Sequence, residues 1–317
     1  MLVLLLTNRR DLTTDYLVRE LTKRQLSFAR LNTDSLAEHS FVLDPVRQEI
    51  EIKEQSLHIR TESVSVAYFR RPSIPFPDPS FGAYQNYVWT EWNTFLKALY
   101  AIIGDRWFSH PNSIMLAEDK VRQLGLAHQI GFSVPETVIT NDLNAVKELQ
   151  RDFALVAKPL KQALVDDGDS SSVLFTSRID KLSDNDLASV AACPAIFQRC
   201  IPKEVDLRVT VVGSKVFAVA IHSQETEETS VDWRRGSNPG LRHEITSLPD
   251  EIAQMCVEIV RLQGLRFGAI DLIRDRDGKI WFLECNPNGQ WAWIENRTGL
   301  PISECIANEM IEVGKRC

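Results

Sequence analysis

The stretch that decides the fold is GAIDLIRDRDGKIWFLECNPN, residues 268–288, in which two apolar segments flank an Asp-Gly pair. Asp277-Gly278 predicts a two-residue hairpin turn, because both positions accept a positive φ. Such a turn would produce three cross-strand pairs, namely Arg276–Lys279, Ile273–Phe282 and Asp271–Glu284. Opposed residues of an antiparallel pair share one face, with Cβ atoms about 5 Å apart. Asp271 and Glu284 are therefore expected to lie side by side.

The second strand of this hairpin ends in residues that are polar at every second position. Glu284 and Asn286 alternate and so point the same way, about 7 Å apart along the strand. Two neighbouring carboxylates repel each other unless a cation or a proton lies between them. Asp271, Glu284 and Asn286 together predict a site for Mg²⁺ bound with phosphate oxygens. In the competing interpretation the acids face water, but Ile270, Leu272, Trp281 and Phe282 beside them favour a buried hairpin.

The composition is that of an ordinary globular protein. The chain has 317 residues, of which 44% are hydrophobic and 25% charged, enough for two or three compact lobes. Its net charge of -7 argues against a large nucleic-acid-binding surface.

Two further classes are disfavoured by the sequence. The six cysteines include no Cys-x-x-Cys pair, so we expect neither a zinc site nor a disulfide framework. We therefore expect a cytoplasmic location, where thiols stay reduced. The apolar start MLVLLLT is too short for a membrane span and lacks a basic leader, and we interpret it as a buried strand. No membrane partner is expected.

The order of predicted elements indicates an α/β protein with three parts. Residues 1–113 alternate strands and helices and include a proline-rich loop. Residues 114–194 begin with a helix over 116–131 and continue with the strands FALVAKP and VLFT. Residues 195–317 contain a hairpin around Gly213-Ser214, the hairpin of residues 268–288 and an amphipathic last helix.

The predicted Mg²⁺ site requires a phosphate-binding site beside it. The usual phosphate-binding motifs are missing, because the sequence contains neither a P-loop nor a Gly-x-Gly-x-x-Gly stretch. Two lysines offer another phosphate site. Lys158 ends an apolar strand and precedes a proline, and Lys120 lies near the start of a helix, where the helix dipole also favours anions.

Together these motifs resemble the ATP-grasp superfamily and, within it, the graspetide (microviridin-type) peptide ligases. The resemblance covers most of the chain and rests on YFRRP, NSIMLAEDKVRQLGLAHQIGFSVPETVITND, LVAKPL, IFQRCIPKEVDLRVTVVG, DWRR and GAIDL with FLECNPNGQW. It implies an ATP-grasp fold, in which an N-terminal α/β domain precedes two lobes that sandwich ATP. One departure is the acidic loop KQALVDDGDSSSV, which should cover the triphosphate but holds only Gly168.

The resemblance also implies roles for individual residues. Lys120 and Lys158 would contact the ATP phosphates, and residues 198–201 (Gln198, Arg199, Cys200, Ile201) would form the hinge strand that binds adenine. Glu204 or Asp206 would lie near the ribose. Asp271, Glu284 and Asn286 would bind Mg²⁺, and Arg208 and Arg234 would face the transferring phosphate. Four further residues are candidates for substrate binding, namely Arg70, Arg71, Arg235 and His222.

The implied reaction activates a carboxylate with ATP and joins it to a hydroxyl or an amine. In graspetide ligases both groups belong to one ribosomal precursor peptide, whose leader segment docks on the enzyme, and the product is a macrocyclic ester or amide. The resemblance is compatible with a homodimer, since ligases of this type are often dimers. One alternative is a ligase that adds a free amino acid, such as glutamate, to a protein or peptide. Another is an ATP-binding regulatory protein without turnover.

Overall fold

The structure is a computed structural model that describes residues 1–54, 57–73, 79–161, 164–166, 171–227, 229–235 and 240–316. Part of the predicted acidic loop KQALVDDGDSSSV, including Gly168, and part of the proline-rich loop lie outside these residues. Among the described helices, none combines the length and the apolar content needed to cross a membrane. Of the six cysteines, the five within the described residues are free thiols.

The first part of the chain contains two small sheets and two helices. Its elements are β1 (Leu2–Thr7), α1 (Leu12–Lys23), β2 (Ser27–Asn32), β3 (Ser40–Asp44), β4 (Glu49–Glu54), β5 (Leu57–Arg60), β6 (Val64–Phe69) and α2 (Gln85–Ile103). Strands β2, β1 and β6 form a parallel sheet in that order, and β3–β4–β5 form an antiparallel one. Residues 2–6 of β1 are all apolar, as expected for a central parallel strand with both faces covered.

The central part contains an antiparallel sheet in the order β11–β8–β12–β7 and a short β9–β10 ribbon. Its elements are α3 (Pro111–Ala117), α4 (Lys120–Gln129), β7 (Thr137–Thr140), α5 (Leu143–Asp152), β8 (Leu155–Lys158), β9 (Leu164–Asp166), β10 (Ser171–Val173), β11 (Ser177–Ile179), α6 (Leu187–Ala191) and β12 (Ala195–Arg199). The predicted helix over 116–131 is wrong at its start, because Asp119 caps α4 by accepting the N–H groups of Val121 and Arg122. The predicted strand VLFT is also wrong, since β10 ends at Val173 and β11 begins at Ser177.

The C-terminal part contains an antiparallel sheet in the order β15–β14–β13–β16–β17, with helices α7 to α9. Its elements are β13 (Lys203–Val212), β14 (Lys215–Ile221), β15 (His243–Thr246), α7 (Asp250–Leu262), β16 (Phe267–Asp275), β17 (Ile280–Asn286), α8 (Ala292–Thr298) and α9 (Ile302–Gly314). The predicted hairpin at Gly213-Ser214 is present, with Val212 opposite Lys215 and Gly213 at a φ of +57°.

The register of the β16–β17 hairpin agrees with the prediction at the site but not at the turn. Asp271 lies opposite Glu284, as predicted. The predicted pairs Arg276–Lys279 and Ile273–Phe282 are wrong, because Asp275 bonds to Lys279 across a longer turn and Trp281 faces Ile273. A bulge at Leu283 adds one residue to β17 and restores the predicted register at Asp271.

The hydrophobic cores show how the three parts of the chain depend on each other. The central sheet has a small core of its own, formed by Leu143, Val146, Leu155, Val190 and Phe197. The two larger cores mix residues from the first and last parts. In one of them, α9 side chains such as Ile306 and Met310 pack with Val3 and Leu17. The predicted boundaries near residues 113 and 194 stay predictions.

Gly268 of β16 packs against Val260 of α7, and it provides a direct test of this packing. A Cβ there would lie 2.6 Å from Val260 Cγ2 and 3.0 Å from Cys285 Sγ. We therefore expect Gly268→Ala to lower the free energy of unfolding by roughly 1–3 kcal/mol through overpacking. The measurement is urea denaturation followed by circular dichroism.

The matched control is Gly125→Ala in the exposed middle of α4, where no atom lies within 4 Å of the new Cβ. It should raise the free energy of unfolding by up to about 1 kcal/mol, because Ala is the better helix former. Equal effects of the two substitutions would contradict the packing at Gly268.

Candidate active site

A cavity of about 350 Å³ lies between the central sheet and the C-terminal sheet. Strands β8 and β12 form one wall, and β13, β16 and β17 form the other. Ten of the predicted site residues line it, namely Lys120, Lys158, Gln198, Arg199, Cys200, Ile201, Asp206, Arg234, Asp271 and Glu284. A single space thus brings together most of the predicted phosphate, adenine and metal residues.

The two predicted phosphate lysines enter this cavity from different elements. Lys120 is the first residue of α4, and its Nζ donates to the Pro159 carbonyl at 2.9 Å and lies 3.8 Å from Glu284 Oε2. Lys158 is the last residue of β8. Burial lowers the pKa of Lys158 from its ordinary value of 10.5 to about 8, although the nearby Glu284 carboxylate opposes this shift.

The lowered pKa of Lys158 leads to a pH-dependent affinity for nucleotide. As the pH rises through about 8, this lysine loses its proton and with it the attraction to phosphate oxygens. We expect the Kd of a Mg²⁺–ATP analogue to rise by roughly tenfold between about pH 7 and about pH 9.5, as measured by calorimetry.

The control for this measurement is Lys158→Arg, which keeps its charge over the whole range. Its Kd should change much less with pH, even if the affinity itself is lower. An equally steep profile in Lys158→Arg would assign the titration to another group.

The carboxylates of Asp271 and Glu284 lie side by side on β16 and β17 and are surrounded by cations. Arg208 Nη1 lies 2.9 Å from Asp271 Oδ1, and Arg234 Nη1 lies 3.5 Å from Glu284 Oε1. Burial raises the pKa of Asp271 even though Arg208 opposes the shift. Burial also acts on Glu284, but the surrounding cations, led by Arg234, outweigh it and hold the pKa of Glu284 below its usual value.

Asn286, the third predicted metal ligand, follows on the same strand. It lies opposite Ala269, and its Oδ1 accepts the backbone N–H of Asn288 at 3.0 Å. Within the described ranges, no three His, Cys, Asp or Glu side chains form a metal-binding group. A cation at this hairpin would therefore be held by two carboxylates and, as predicted, an amide oxygen. Cys285, between the ligands, is fully buried on the opposite face.

The two predicted catalytic arginines differ in their surroundings. Arg208 is buried, donates to the Gln290 carbonyl at 3.3 Å, and does not line the cavity itself. Its Nε is buried without a hydrogen-bond partner in the described part of the chain. Arg234 is 47% exposed and forms a two-pronged pair with Asp232, whose oxygens lie 2.8 and 2.9 Å from Nε and Nη2. Burial acts against both charges of this pair, but their mutual attraction lowers the pKa of Asp232 and raises that of Arg234.

The predicted adenine-binding residues lie along the end of β12. The N–H groups of Arg199 and Cys200 already donate to the carbonyls of Glu136 and Ala154. Ile201 packs with Ile273, and both residues line the cavity. This end of the cavity is thus apolar, and it suits the face of a flat aromatic base.

The structure distinguishes between the two candidates for the ribose. Glu204 is exposed, pairs with Arg274 at 2.8 Å, and does not line the cavity. Asp206 does line it, but its oxygens accept two hydrogen bonds from Lys203 at 2.7 and 2.9 Å and a third from Ser223. The sequence-based prediction missed Lys203. The bulge in β13 between Lys203 and Val205 brings this lysine to Asp206, and no sequence pattern marks such a bulge.

The four predicted substrate residues do not line the cavity. Arg70 is 1% exposed and donates to the carbonyls of Asn288 and Gly289, both at 2.9 Å. Substrate binding by Arg70 stays a prediction, although its side chain is enclosed by protein and does not line the cavity. Arg70 holds the loop that follows Asn286.

The other three substrate candidates lie nearer the surface. Arg71 is exposed, has a φ of +42° and donates to the Asn288 carbonyl at 3.2 Å. Arg235 donates to the Ser177 hydroxyl, while His222 bonds to Arg242 at 2.8 Å and lies 3.2 Å from Glu244. Substrate binding by these three residues stays a prediction.

Two facing sheets that enclose a cavity lined by lysines on one side and paired carboxylates on the other define an ATP-grasp ligase fold. The family described as "RimK-like ATP-grasp domain" matches residues 117–312, and the chain belongs to this family. The predicted fold and the predicted enzyme class, an ADP-forming ATP-grasp ligase, are thereby confirmed.

Solved structures resemble the chain over nearly its whole length. A RiPP-associated ATP-grasp ligase of Chryseobacterium gregarium, in complex with ADP and a leader and core peptide, is 25% identical with a TM-score of 0.90 over 98% of this chain and 96% of that one. The macrocyclase MdnC of Microcystis aeruginosa MRC, bound with the precursor peptide MdnA, is 26% identical with a TM-score of 0.86 over 98% and 100%. The macrocyclase MdnB of the same organism is 28% identical with a TM-score of 0.78 over 98% and 99%. The resemblance to graspetide ligases is confirmed.

A curated relative is more distant. The probable alpha-L-glutamate ligase of Saccharophagus degradans is 22% identical over 231 residues, which are 72% of this chain and 74% of that protein.

Proposed function

We propose that this ligase uses Mg²⁺ and ATP to activate Asp or Glu side chains of a ribosomal precursor peptide. It then joins them to Ser, Thr or Lys side chains of the same peptide, forming macrocyclic esters or amides. The observation that carries the proposal is the cavity between the two sheets, where paired carboxylates face several cations. The peptide substrate is supported by the leader, core and precursor peptides bound to two of the structures cited above.

The residues present fit Mg²⁺ and a triphosphate. Asp271 and Glu284 supply the oxygen ligands that Mg²⁺ prefers, and Asn286 supplies a neutral one. In the structure the carboxylates are balanced by Arg208, Arg234 and Lys120 instead. With Mg²⁺ bound to the carboxylates, these cations would be available to the phosphate oxygens.

Each residue has a defined task in this reaction. A carboxylate is a poor electrophile because its charge repels nucleophiles, and transfer of the γ-phosphate converts it into an acyl phosphate with a good leaving group. Arg208 and Arg234 would stabilise the charge that develops during transfer, and Lys120 and Lys158 would orient the phosphates. Mg²⁺, when bound, neutralises charge on the phosphate oxygens. The apolar wall at Ile201 and Ile273 would hold the base.

The proposal also includes the cellular location and the oligomeric state of the enzyme. We expect the reaction to take place in the cytoplasm, where ATP is available and where free thiols are stable. A homodimer is compatible with the proposal, and light scattering of the purified protein would test it.

The test is mass spectrometry of an acidic, hydroxyl-rich precursor peptide after incubation with the enzyme, Mg²⁺ and ATP. Macrocyclisation removes one water per bond and adds no residue, and each bond should be matched by one ADP. The peptide alone and the reaction without ATP serve as controls. ADP formation without a dehydrated product would contradict the proposed substrate.

A second candidate function is addition of free glutamate to a protein or peptide, and the relative from Saccharophagus degradans favours it. The same experiment, with glutamate present, distinguishes the two. Glutamate addition raises the mass of the acceptor, whereas cyclisation lowers it.

A further inference from the structure

The segment Asp232-Trp233-Arg234-Arg235, here called the DWRR segment, connects the two walls of the cavity. Asp232 is 5% exposed, although it lies in a loop between β14 and β15. A buried carboxylate in a loop requires several hydrogen bonds to remain stable. The donors that surround Asp232 indicate what it does.

The carboxylate of Asp232 contacts both walls of the cavity at once. Its Oδ2 accepts the backbone N–H of Thr176, in the central part of the chain, at 3.1 Å, and Nη2 of Arg234 at 2.9 Å. Its Oδ1 accepts Nε and the backbone N–H of Arg234 at 2.8 and 3.1 Å. With Nε and Nη2 held by Asp232, the remaining Nη1 of Arg234 lies 3.5 Å from Glu284. The direction of the guanidinium is therefore set by Asp232.

The neighbours of Asp232 fix the DWRR segment on both sides. Arg235 donates to the Ser177 hydroxyl, and its guanidinium lies 5.8 Å from the centre of the Phe175 ring, so this residue adds to the contact with the central part. Trp233 packs on Trp293 of α8, with ring centres 5.4 Å apart. Lys203 donates to the Val231 carbonyl at 3.2 Å. The segment thus rests on the C-terminal sheet and reaches across to the strands above the cavity.

We propose that Asp232 is a positioning residue, which holds the guanidinium of Arg234 against Glu284 while its fourth hydrogen bond ties the DWRR segment to Thr176 on the opposite wall of the cavity. This inference deepens the proposed ligase function and, in its kinetic part, rests on it.

The kinetic test combines Asp232→Asn with Arg234→Ala. Asn has one acceptor oxygen and no charge, so it cannot serve all four donors of Asp232. We expect Asp232→Asn to lower kcat for ADP formation by about 10²-fold, with a change of less than about threefold in KM for ATP. In the Arg234→Ala background the same substitution should slow the enzyme by no more than about twofold, because its effect is exerted through Arg234. Effects that multiply in the double variant would overturn the proposal.

A matched control separates this effect from a general effect of Asp→Asn substitution. Asp142 caps α5 by accepting the Asn144 N–H at 2.9 Å and lies outside the cavity. Asp142→Asn should keep the wild-type kcat. If Asp232→Asn fails to fold, Asp232→Glu retains the charge but displaces it by one methylene, and a loss of kcat without a loss of ATP affinity is again expected.

A second readout does not depend on turnover. In protein labelled with ¹⁵N-arginine, the Nε–H resonance of Arg234, assigned by its absence in Arg234→Lys, should exchange slowly with solvent in the wild type. It should shift and exchange faster in Asp232→Asn, while the Arg208 resonance stays in place. An unchanged Arg234 resonance would overturn the inference even if the enzyme is a ligase. A changed resonance in a protein that forms no cyclised peptide would instead refute the proposed substrate and keep the role of Asp232.

Discussion

Replacement of Glu284 by Gln is expected to lower the rate of ADP formation by roughly 10³-fold and to leave the fold intact. Glu284 faces both Arg234 and Lys120 at the centre of the cavity. Gln has the same shape and keeps an oxygen, but it lacks the charge that would bind Mg²⁺. Coupled-enzyme measurement of ADP, with a peptide that the wild type converts, gives the rate.

The control for this substitution is Glu258→Gln on the exposed face of α7. Glu258 also pairs with an arginine, Arg261, at 2.7 Å, but it lies outside the cavity. Glu258→Gln should keep wild-type activity and a free energy of unfolding close to that of the wild type, because exposed ion pairs contribute little to stability. Wild-type turnover in Glu284→Gln, and likewise in Asp271→Asn and Asn286→Ala, would refute the metal assignment.

Replacement of Arg208 by Met is expected to have the largest effect on stability. Arg208 is buried and is the hydrogen-bonded partner of the Asp271 carboxylate at 2.9 Å. Without it, a buried charge is left uncompensated, at a cost of about 3–5 kcal/mol in the free energy of unfolding. Urea denaturation measures this cost.

The pH dependence of that loss follows from the pKa of Asp271, which burial already raises above its usual value. Removal of Arg208 raises it further, so the folded variant binds a proton that the unfolded chain releases. The free energy of unfolding of Arg208→Met should therefore be closest to that of the wild type in mild acid, and it should fall as the pH rises.

Two variants serve as controls for Arg208→Met. Arg208→Met with Asp271→Leu, which removes both charges, should recover much of the lost stability. Arg266→Met breaks a partly exposed pair with Glu309 at 3.6 Å and should cost less than about 1 kcal/mol. Equal losses in Arg208→Met and Arg266→Met would contradict the burial of the Arg208–Asp271 pair.

The β16–β17 hairpin shows what a sequence predicts well. Alternation along a strand and the Asp-Gly turn together placed Asp271 opposite Glu284, and the structure has this pair. The pairs close to the turn were wrong, because a longer turn and a bulge at Leu283 offset each other. The energy of a bulge depends on packing from outside the hairpin, which local patterns do not contain.

The surroundings of the arginines could not be predicted in the same way. Arg70 and Arg71 are adjacent and chemically alike, yet one is enclosed by the Asn288–Gly289 loop and the other is exposed. Their separation depends on contacts between residues more than 200 positions apart. Asp232 carried a weak local signal, since it precedes Arg234 by two residues. Only the fold reveals that its second oxygen reaches Thr176.

The shared cores of the first and last parts have a consequence for synthesis of the protein on the ribosome. Leu17 of α1 packs in one cluster with Ile306 and Met310 of α9, so the emerging N-terminal segment cannot complete its interior until nearly 300 further residues have been translated. During that interval the apolar strand β1 lacks part of its cover, and a nascent chain in this state is a natural client for chaperones.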